Sequence, residues 1–140
     1  MFRKLSESDL SISGLVSAVA KRLEAENLVE PPRWAGLVKT GSHAERVPQS
    51  PKFWFGRCAS ALVAVSRRPV GVRRLRNKYG GRTSNTLARS HHRKAGGKAV
   101  RLPLQQLEKV GLVKKARSGR VITPAGKAFI AKAAAQAGLQ

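Results

Sequence analysis

Between Asp9 and Glu26, apolar residues recur at steps of three and four: Ile12, Leu15, Val16, Val19 and Leu23 share one stripe. That spacing predicts an amphipathic surface helix. Ser8 or Asp9 is placed to cap its start, Asn27 lies near its end, and Ser17, Lys21, Arg22 and Glu24 occupy the other face. After the break at Pro31-Pro32, Trp34, Leu37 and Val38 predict a turn or two of apolar helix, and the stretch from Lys39 to Gln49, with Gly41 and Pro48, predicts a loop. Ser50-Pro51 is a helix entry, a capping residue before a proline at the first helical position. From there Trp54, Cys58, Ala61, Leu62 and Val65 form a stripe down to Ser66, widened by Phe53, Phe55 and Ala59. This is the expected core helix, ended by Arg67-Arg68-Pro69. Three successive helical residues span about 200°, so Trp54 is assigned inward and Phe53 and Phe55 stay open between core and base stacking.

A short helix is expected over Gly71 to Tyr79, with Val72, Leu75 and Tyr79 on one side and Arg73, Arg74, Arg76 and Lys78 elsewhere. Gly80-Gly81 is expected to close it in a left-handed conformation. The stretch from Arg82 to Lys98 carries almost nothing apolar beyond Leu87 and alanines, so a long polar loop is expected. Helical spacing resumes from Val100 to Val110, with Gly111 as the stop. Leu112 to Lys115 and Arg120 to Ile122, joined through Arg117-Ser118-Gly119, predict a hairpin. Thr123-Pro124 opens a last helix with Ala125, Phe129, Ile130 and Ala133 on one face; the tail after Ala134 is unassigned. The order predicts a mainly α, winged-helix-like helical domain with a short β-hairpin, a single domain over residues 1–140. Such a fold binds nucleic acid often and protein sometimes, so it does not decide function.

Charge changes that picture. The 140 residues hold 28 Lys plus Arg against 7 Asp plus Glu, a net charge of +21. Residues 1–45 carry equal numbers of bases and acids, and beyond them Glu108 is the only acid. A compact body so charged repels itself unless a polyanion supplies the missing charge, and phosphate backbone is the obvious source.

Other classes are disfavoured. The apolar run Cys58–Ser66 is far short of the ~20 residues of a membrane span. Arg3 and Lys4 are followed by Ser6, Glu7, Ser8 and Asp9 where a secretory signal would be apolar. The lone Cys58 fits a reducing compartment, cytosolic or nuclear. Glu108 has no acidic partner for acid–base work. Cys58 lies on the apolar stripe and reads as a small core hydrophobe. His91-His92 have no second ligand pair at zinc spacing, and His43 is isolated. Neither double glycine belongs to a nucleotide-binding loop. No enzyme, metal, cofactor, small-molecule substrate or membrane is expected.

The basic stretch is the feature that points somewhere. Arg67, Arg68, Arg73, Arg74, Arg76, Lys78, Arg82, Arg89, His91, His92, Arg93, Lys94 and Lys98 follow one another without an acidic neighbour. Arginine predominates from Arg67 to Arg93; its planar fork grips phosphate bidentately and stacks on bases, which suits folded RNA.

Several blocks then resemble one family. Pro32-Arg33-Trp34, Val38-Lys39-Thr40-Gly41, Phe53 to Ser60 (FWFGRCAS), Gly71-Val72, Lys78-Tyr79-Gly80-Gly81-Arg82 and Leu104 to Val113 (LQQLEKVGLV) stand in the order and spacing of the small-subunit ribosomal protein family S19e of eukaryotes and archaea. The resemblance covers about residues 9–135. It implies a helical, winged-helix-like core in the head of the small subunit, contacts with small-subunit rRNA and neighbouring head proteins, and a part in subunit maturation. It further implies cytoplasmic ribosomes as the location, with nucleolar passage in a eukaryote. The RNA-facing positions it carries over are Lys39, Thr40, Arg57, Lys78, Tyr79, Gly80, Gly81 and Arg82. The chain departs from the family at Arg73, where a second glycine is usual, at Pro103, and across 83–94. Proline inside a helix costs about 3 kcal/mol, so that helix is expected to start near Pro103 or bend there.

Two classes therefore face each other: a structural rRNA-binding ribosomal component, and a winged-helix DNA-binding regulator reading through Val100–Val110. That helix carries only Arg101 and Lys109, and the charge lies before it. The loop Arg82–Lys98 is expected to be disordered until RNA contacts offset its ordering entropy.

Overall fold

The computed structural model describes residues 11–44, 46–48, 50, 52–83 and 89–137. The helices are α1 (Ile12–Glu26), α2 (Phe53–Arg67), α3 (Val72–Tyr79), α4 (Gly97–Val110) and α5 (Pro124–Ala137). Between α3 and α4 a two-residue pair, β1 (Gly81–Arg82) and β2 (His92–Arg93), runs antiparallel, with Gly81 opposite Arg93. After α4 come β3 (Val113–Ala116) and β4 (Gly119–Ile122), antiparallel with Val113 opposite Ile122. Val70, just before α3, bridges Arg120 through hydrogen bonds of 3.2 and 2.8 Å and lies against that hairpin as a one-residue third strand. The result is mainly α and winged-helix-like, as the pattern predicts.

α1 packs on α2 and α5, α2 on α4, and α3 on α4. Leu15, Val19 and Leu23 are the buried stripe of α1, while Ile12 at its first turn is exposed. The helix starts later than expected. Ser11 is the N-cap, its Oγ accepting from the Gly14 amide at 3.1 Å; Ser8 and Asp9 lie outside the described residues. Asn27 ends α1 in the left-handed region at φ 50°. In α2, Trp54, Cys58, Leu62 and Val65 are buried as expected, and Phe53 and Phe55 are half-buried against the same core. Pro51 lies outside the described residues; Ser50 Oγ accepts from the Lys52 amide at 3.2 Å, ahead of the first turn.

Several expectations give way. Pro32 to Leu37 makes isolated turns rather than a helix, and Leu37 and Val38 stay exposed. α4 begins at Gly97 and runs through Pro103. The Pro103 ring is fully buried, so the area it removes from water offsets part of the missing hydrogen bond. Ala125 is exposed, and Gly126 takes the inward place: a Cβ there would strike the Leu112 carbonyl and come within 2.7 Å of Ile122. Gly80 is extended, at φ −75° and ψ −179°, and Gly81 starts β1, so neither is a left-handed cap.

One polar latch fixes the core. The Trp54 indole N–H donates to Gln106 Oε1 at 2.8 Å, and Gln106 Nε2 donates to the Glu30 carbonyl at 2.7 Å. It ties α2, α4 and the segment after α1 together.

Candidate nucleic-acid interface

α2 shows its apolar stripe to the core and turns Arg57, Ser60, Ala64 and Arg67, three or four residues apart, toward α3. The Arg57 guanidinium carbon stands 3.9 Å from the Tyr79 ring centroid and 5.2 Å from that of Phe53. Tyr79 O–H donates to Ser60 Oγ at 2.7 Å, which fixes the ring beneath the guanidinium. Burial holds the Arg57 pKa below its ordinary value, with Tyr79 pulling the other way. Burial likewise raises the Tyr79 phenol, against the Ser60 hydrogen bond and Arg57.

A groove continues from there, lined by Ala64, Arg67, Arg68, Val70, Arg74, Leu75 and Lys78. The Lys78 pKa is lowered first by desolvation and then by the positive charges of Arg67 and Arg57. Among the described residues the ion pairs are Arg22–Glu26, Lys52–Glu24 and Arg120–Glu108, and none of them neutralises this groove. Cations pressed together without a counter-charge make a site for an anion that arrives from outside.

The structure divides the other expected positions between two places. Around β1 and β2, Arg82, Arg89, His91, His92 and Arg93 are exposed and Lys94 is half-buried. Arg76 has a structural task there: its Nε donates to the Ala95 carbonyl at 2.8 Å, and the Ala95 amide donates to the Arg76 carbonyl at 2.9 Å. Gly80 and Gly81 permit close approach. A Cβ on Gly80 would strike the Arg93 carbonyl, and one on Gly81 would lie 2.8 Å from His43 Cδ2. The expectation of an unstructured loop over 82–98 is thus corrected at both ends. β1 and β2 pair, Thr83 N–H donates to the His91 carbonyl at 3.1 Å, Ala95 is buried, and Lys98 lies on α4. Backbone pairing replaces the side-chain pattern that the sequence lacks; residues 84–88 lie outside the described residues.

At the second place, the Gly96 amide donates to the Thr40 carbonyl at 2.7 Å and Gly41 bridges Ala95, so Lys39 and Thr40 lie beside the entry to α4. Arg73 is exposed on α3, outside the groove lining. Sequence reasoning missed Phe53 as a support for Arg57, although their i, i+4 spacing signals it. It also missed Ser60, and it missed His43, whose ring fills the space over Gly41 and Gly81 and which no local pattern announces. Cys58 is buried as a core side chain, its thiol pushed up to about 12 by burial.

The family model described as Ribosomal protein S19e matches residues 7–140. "Small ribosomal subunit protein eS19" of Aeropyrum pernix is 44% identical over 120 residues, which are 83% of this chain and 78% of that protein. The protein of the same name from Haloarcula marismortui is 37% identical over 129 residues, 87% of this chain and 84% of its own. "Small ribosomal subunit protein eS19A" of Saccharomyces cerevisiae is 33% identical over 135 residues, 94% of each chain.

Proposed function

The chain belongs to the Ribosomal protein S19e family, and on that premise we propose that it is a structural constituent of the small ribosomal subunit that grips rRNA phosphates in the groove between α2 and α3. It works as a scaffold rather than an enzyme, within cytoplasmic ribosomes. The observation that supports the RNA contact is the cluster of Arg57, stacked on Tyr79, with Arg67, Arg74 and Lys78, none of them ion-paired to a carboxylate among the described residues. Exposed Arg82, Arg89, His91, His92 and Arg93 extend the cationic surface toward the β1–β2 end, and Lys39 and Lys98 toward the start of α4. The same reading assigns the protein to the subunit head, beside other head proteins, with a part in subunit maturation and passage through the nucleolus if the cell is eukaryotic. The regulator alternative finds no support: α4 buries Val100, Pro103, Leu104 and Leu107 and offers only scattered cations for base reading.

Affinity for a structured small-subunit rRNA fragment and for duplex DNA, measured at matched salt, tests this. Counterion release lowers log K by about 0.7 to 0.9 per phosphate contact for each log unit of salt. A steep slope with tighter binding to the rRNA is expected. A flat salt dependence, or equal affinity for the DNA, overturns the reading.

A further inference from the structure

Large apolar side chains in solvent are few among the described residues, and three of them fall between Trp34 and Val47: Leu37, 77% exposed, Val38, 46% exposed, and Val47. Val38 lines a hollow with Trp34, whose far wall is the entry to α4 at Gly96, Gly97 and Ala99. Its rim carries Lys39 and Lys98, and neither lies within ion-pair distance of a described carboxylate. Lys98 Nζ stands 5.7 Å over the Trp34 ring.

The Trp34 ring is fixed from behind. It meets Trp54 edge to face at 5.8 Å and 88°, and Trp54 is itself held by Gln106 at 2.8 Å. A rigid aromatic plate loses little entropy when something flat stacks on it. The opposite wall includes two glycines, so backbone rather than side chains borders the hollow there. That wall is tied to α3 by Arg76 Nε, which donates to the Ala95 carbonyl at 2.8 Å, and to the segment carrying Lys39 by the Gly96 amide, which donates to the Thr40 carbonyl at 2.7 Å.

Apolar walls with a cationic rim match a nucleotide, which is flat and weakly polar at its base and anionic at its phosphates. An apolar side chain of a protein partner would use the walls and leave both lysines without a role. We propose that the Trp34–Val38 hollow seats one unstacked base of a single-stranded rRNA segment, stacked on Trp34, with Lys39 and Lys98 on its flanking phosphates. This rests on the RNA-binding role proposed above and adds a base-contacting subsite to a phosphate-gripping surface. Lys98 covers the ring in the free protein; the arriving base displaces its ammonium, which then meets phosphate.

The two tryptophans make the test direct, because Trp54 is 1% exposed and Trp34 alone meets solvent. The full chain is titrated with a single-stranded oligouridylate and, separately, with inorganic polyphosphate of similar charge. The oligouridylate should quench Trp34 emission and the polyphosphate should not. Trp34→Leu should abolish the quench and weaken oligouridylate binding roughly tenfold, with polyphosphate affinity unchanged. Because Trp34 also touches Trp54, Val38→Ser at an exposed position serves as the second variant and should weaken oligouridylate binding in a protein of unaltered melting temperature. RNA that binds with a steep salt slope but leaves Trp34 emission and Val38→Ser affinity unchanged overturns the base subsite while the phosphate groove stands. An apolar peptide that quenches Trp34 without competition from RNA overturns it in favour of a protein contact. Failure of the wild-type chain to bind either the oligouridylate or the rRNA fragment overturns both readings together.

Discussion

The Arg57 guanidinium lies flat enough on Tyr79 to bring its central carbon within 3.9 Å of the ring centroid, with Phe53 at 5.2 Å on another side. Arginine so held is pre-oriented, and less rotamer freedom is lost when phosphate arrives. The two aromatic contacts are worth about 0.5–1 kcal/mol each. Against their loss, Arg57→Ala relieves the repulsion that Arg57 exerts on Lys78. The effects oppose each other, so the melting temperature of Arg57→Ala should stay within a few degrees of the parent. RNA affinity should fall tenfold or more, since a hydrogen bond to a charged group is worth about 1.5–3 kcal/mol. The salt slope should also drop by about one contact. Arg57→Lys should retain the slope and lose part of the affinity. Filter binding across a salt series, beside a melt, checks this; unchanged affinity in a stable Arg57→Ala protein removes Arg57 from the interface.

Much of this was legible in the sequence because α2 is strongly patterned: its period of three and four residues places Trp54, Cys58, Leu62 and Val65 inward, and they are buried. The wing was legible for another reason, since two short β-like segments, Leu112 to Lys115 and Arg120 to Ile122, stand on either side of Arg117-Ser118-Gly119. The charge excess pointed to phosphate without reference to any fold. The β1–β2 pair was not legible. It is made by backbone hydrogen bonds between exposed polar residues, and no side-chain period records those. Nor did the sequence reveal that Gly80 and Gly81 exist for close approach, because glycine near a helix end signals a left-handed cap equally well. The arginines were legible as a set and not as individuals. Arg57 and Arg76 look alike along the chain, yet one stacks on Tyr79 and the other holds the Ala95 carbonyl.

Gly119 and Gly80 should respond to the same substitution by different routes. Gly119 sits at φ 121°, and a Cβ there would come within 2.7 Å of the Val70 carbonyl. Gly119→Ala is therefore strained in backbone and crowded at once, and should cost roughly 1–3 kcal/mol of global stability. Gly80 has an ordinary extended backbone, so its penalty comes from contact with Arg93 O and with Arg76 O at 3.0 Å. Gly80→Ala should open the short β1–β2 pair and raise amide exchange at Gly81 and Thr83 more than it lowers the melting temperature. Equal melting losses with no local exchange change would contradict this division.

Cys58 should be silent toward thiol reagents in the native protein. Its side chain is fully buried, and burial pushes its pKa from 9.0 up to about 12, with Arg57 pulling slightly the other way. Reaction needs both access and thiolate. At pH 8 labelling should follow unfolding and track denaturant concentration. The raised folded pKa also fixes a sign: the thiol's contribution to stability is complete below pH 9.0 and is lost as pH climbs toward about 12. Rapid labelling of folded protein at pH 8 would place Cys58 at the surface instead.

Lys78 gives the proposed interface a proton linkage. Desolvation first, then Arg67 and Arg57, lowers its pKa from the ordinary 10.5. In the window below 10.5 the unfolded chain holds this proton more tightly than the folded one, so Lys78 lets stability rise with pH there. An anion in the groove reverses the cause of the depression. It supplies the missing counter-charge and should raise the pKa again, so binding takes up a proton and affinity falls as pH rises through that window. Below that window, where bound and free protein both hold the proton, no uptake is expected from it. Calorimetry of inorganic polyphosphate binding near pH 9.5, in buffers of different ionisation enthalpy, measures the uptake; polyphosphate avoids the alkaline hydrolysis of RNA. Lys78→Arg keeps the charge and cannot release its proton in that range. The variant should bind polyphosphate with most of the parent's affinity at pH 7 and show less proton uptake at pH 9.5. Equal uptake by the variant and the parent would mean that Lys78 does not meet the bound phosphates.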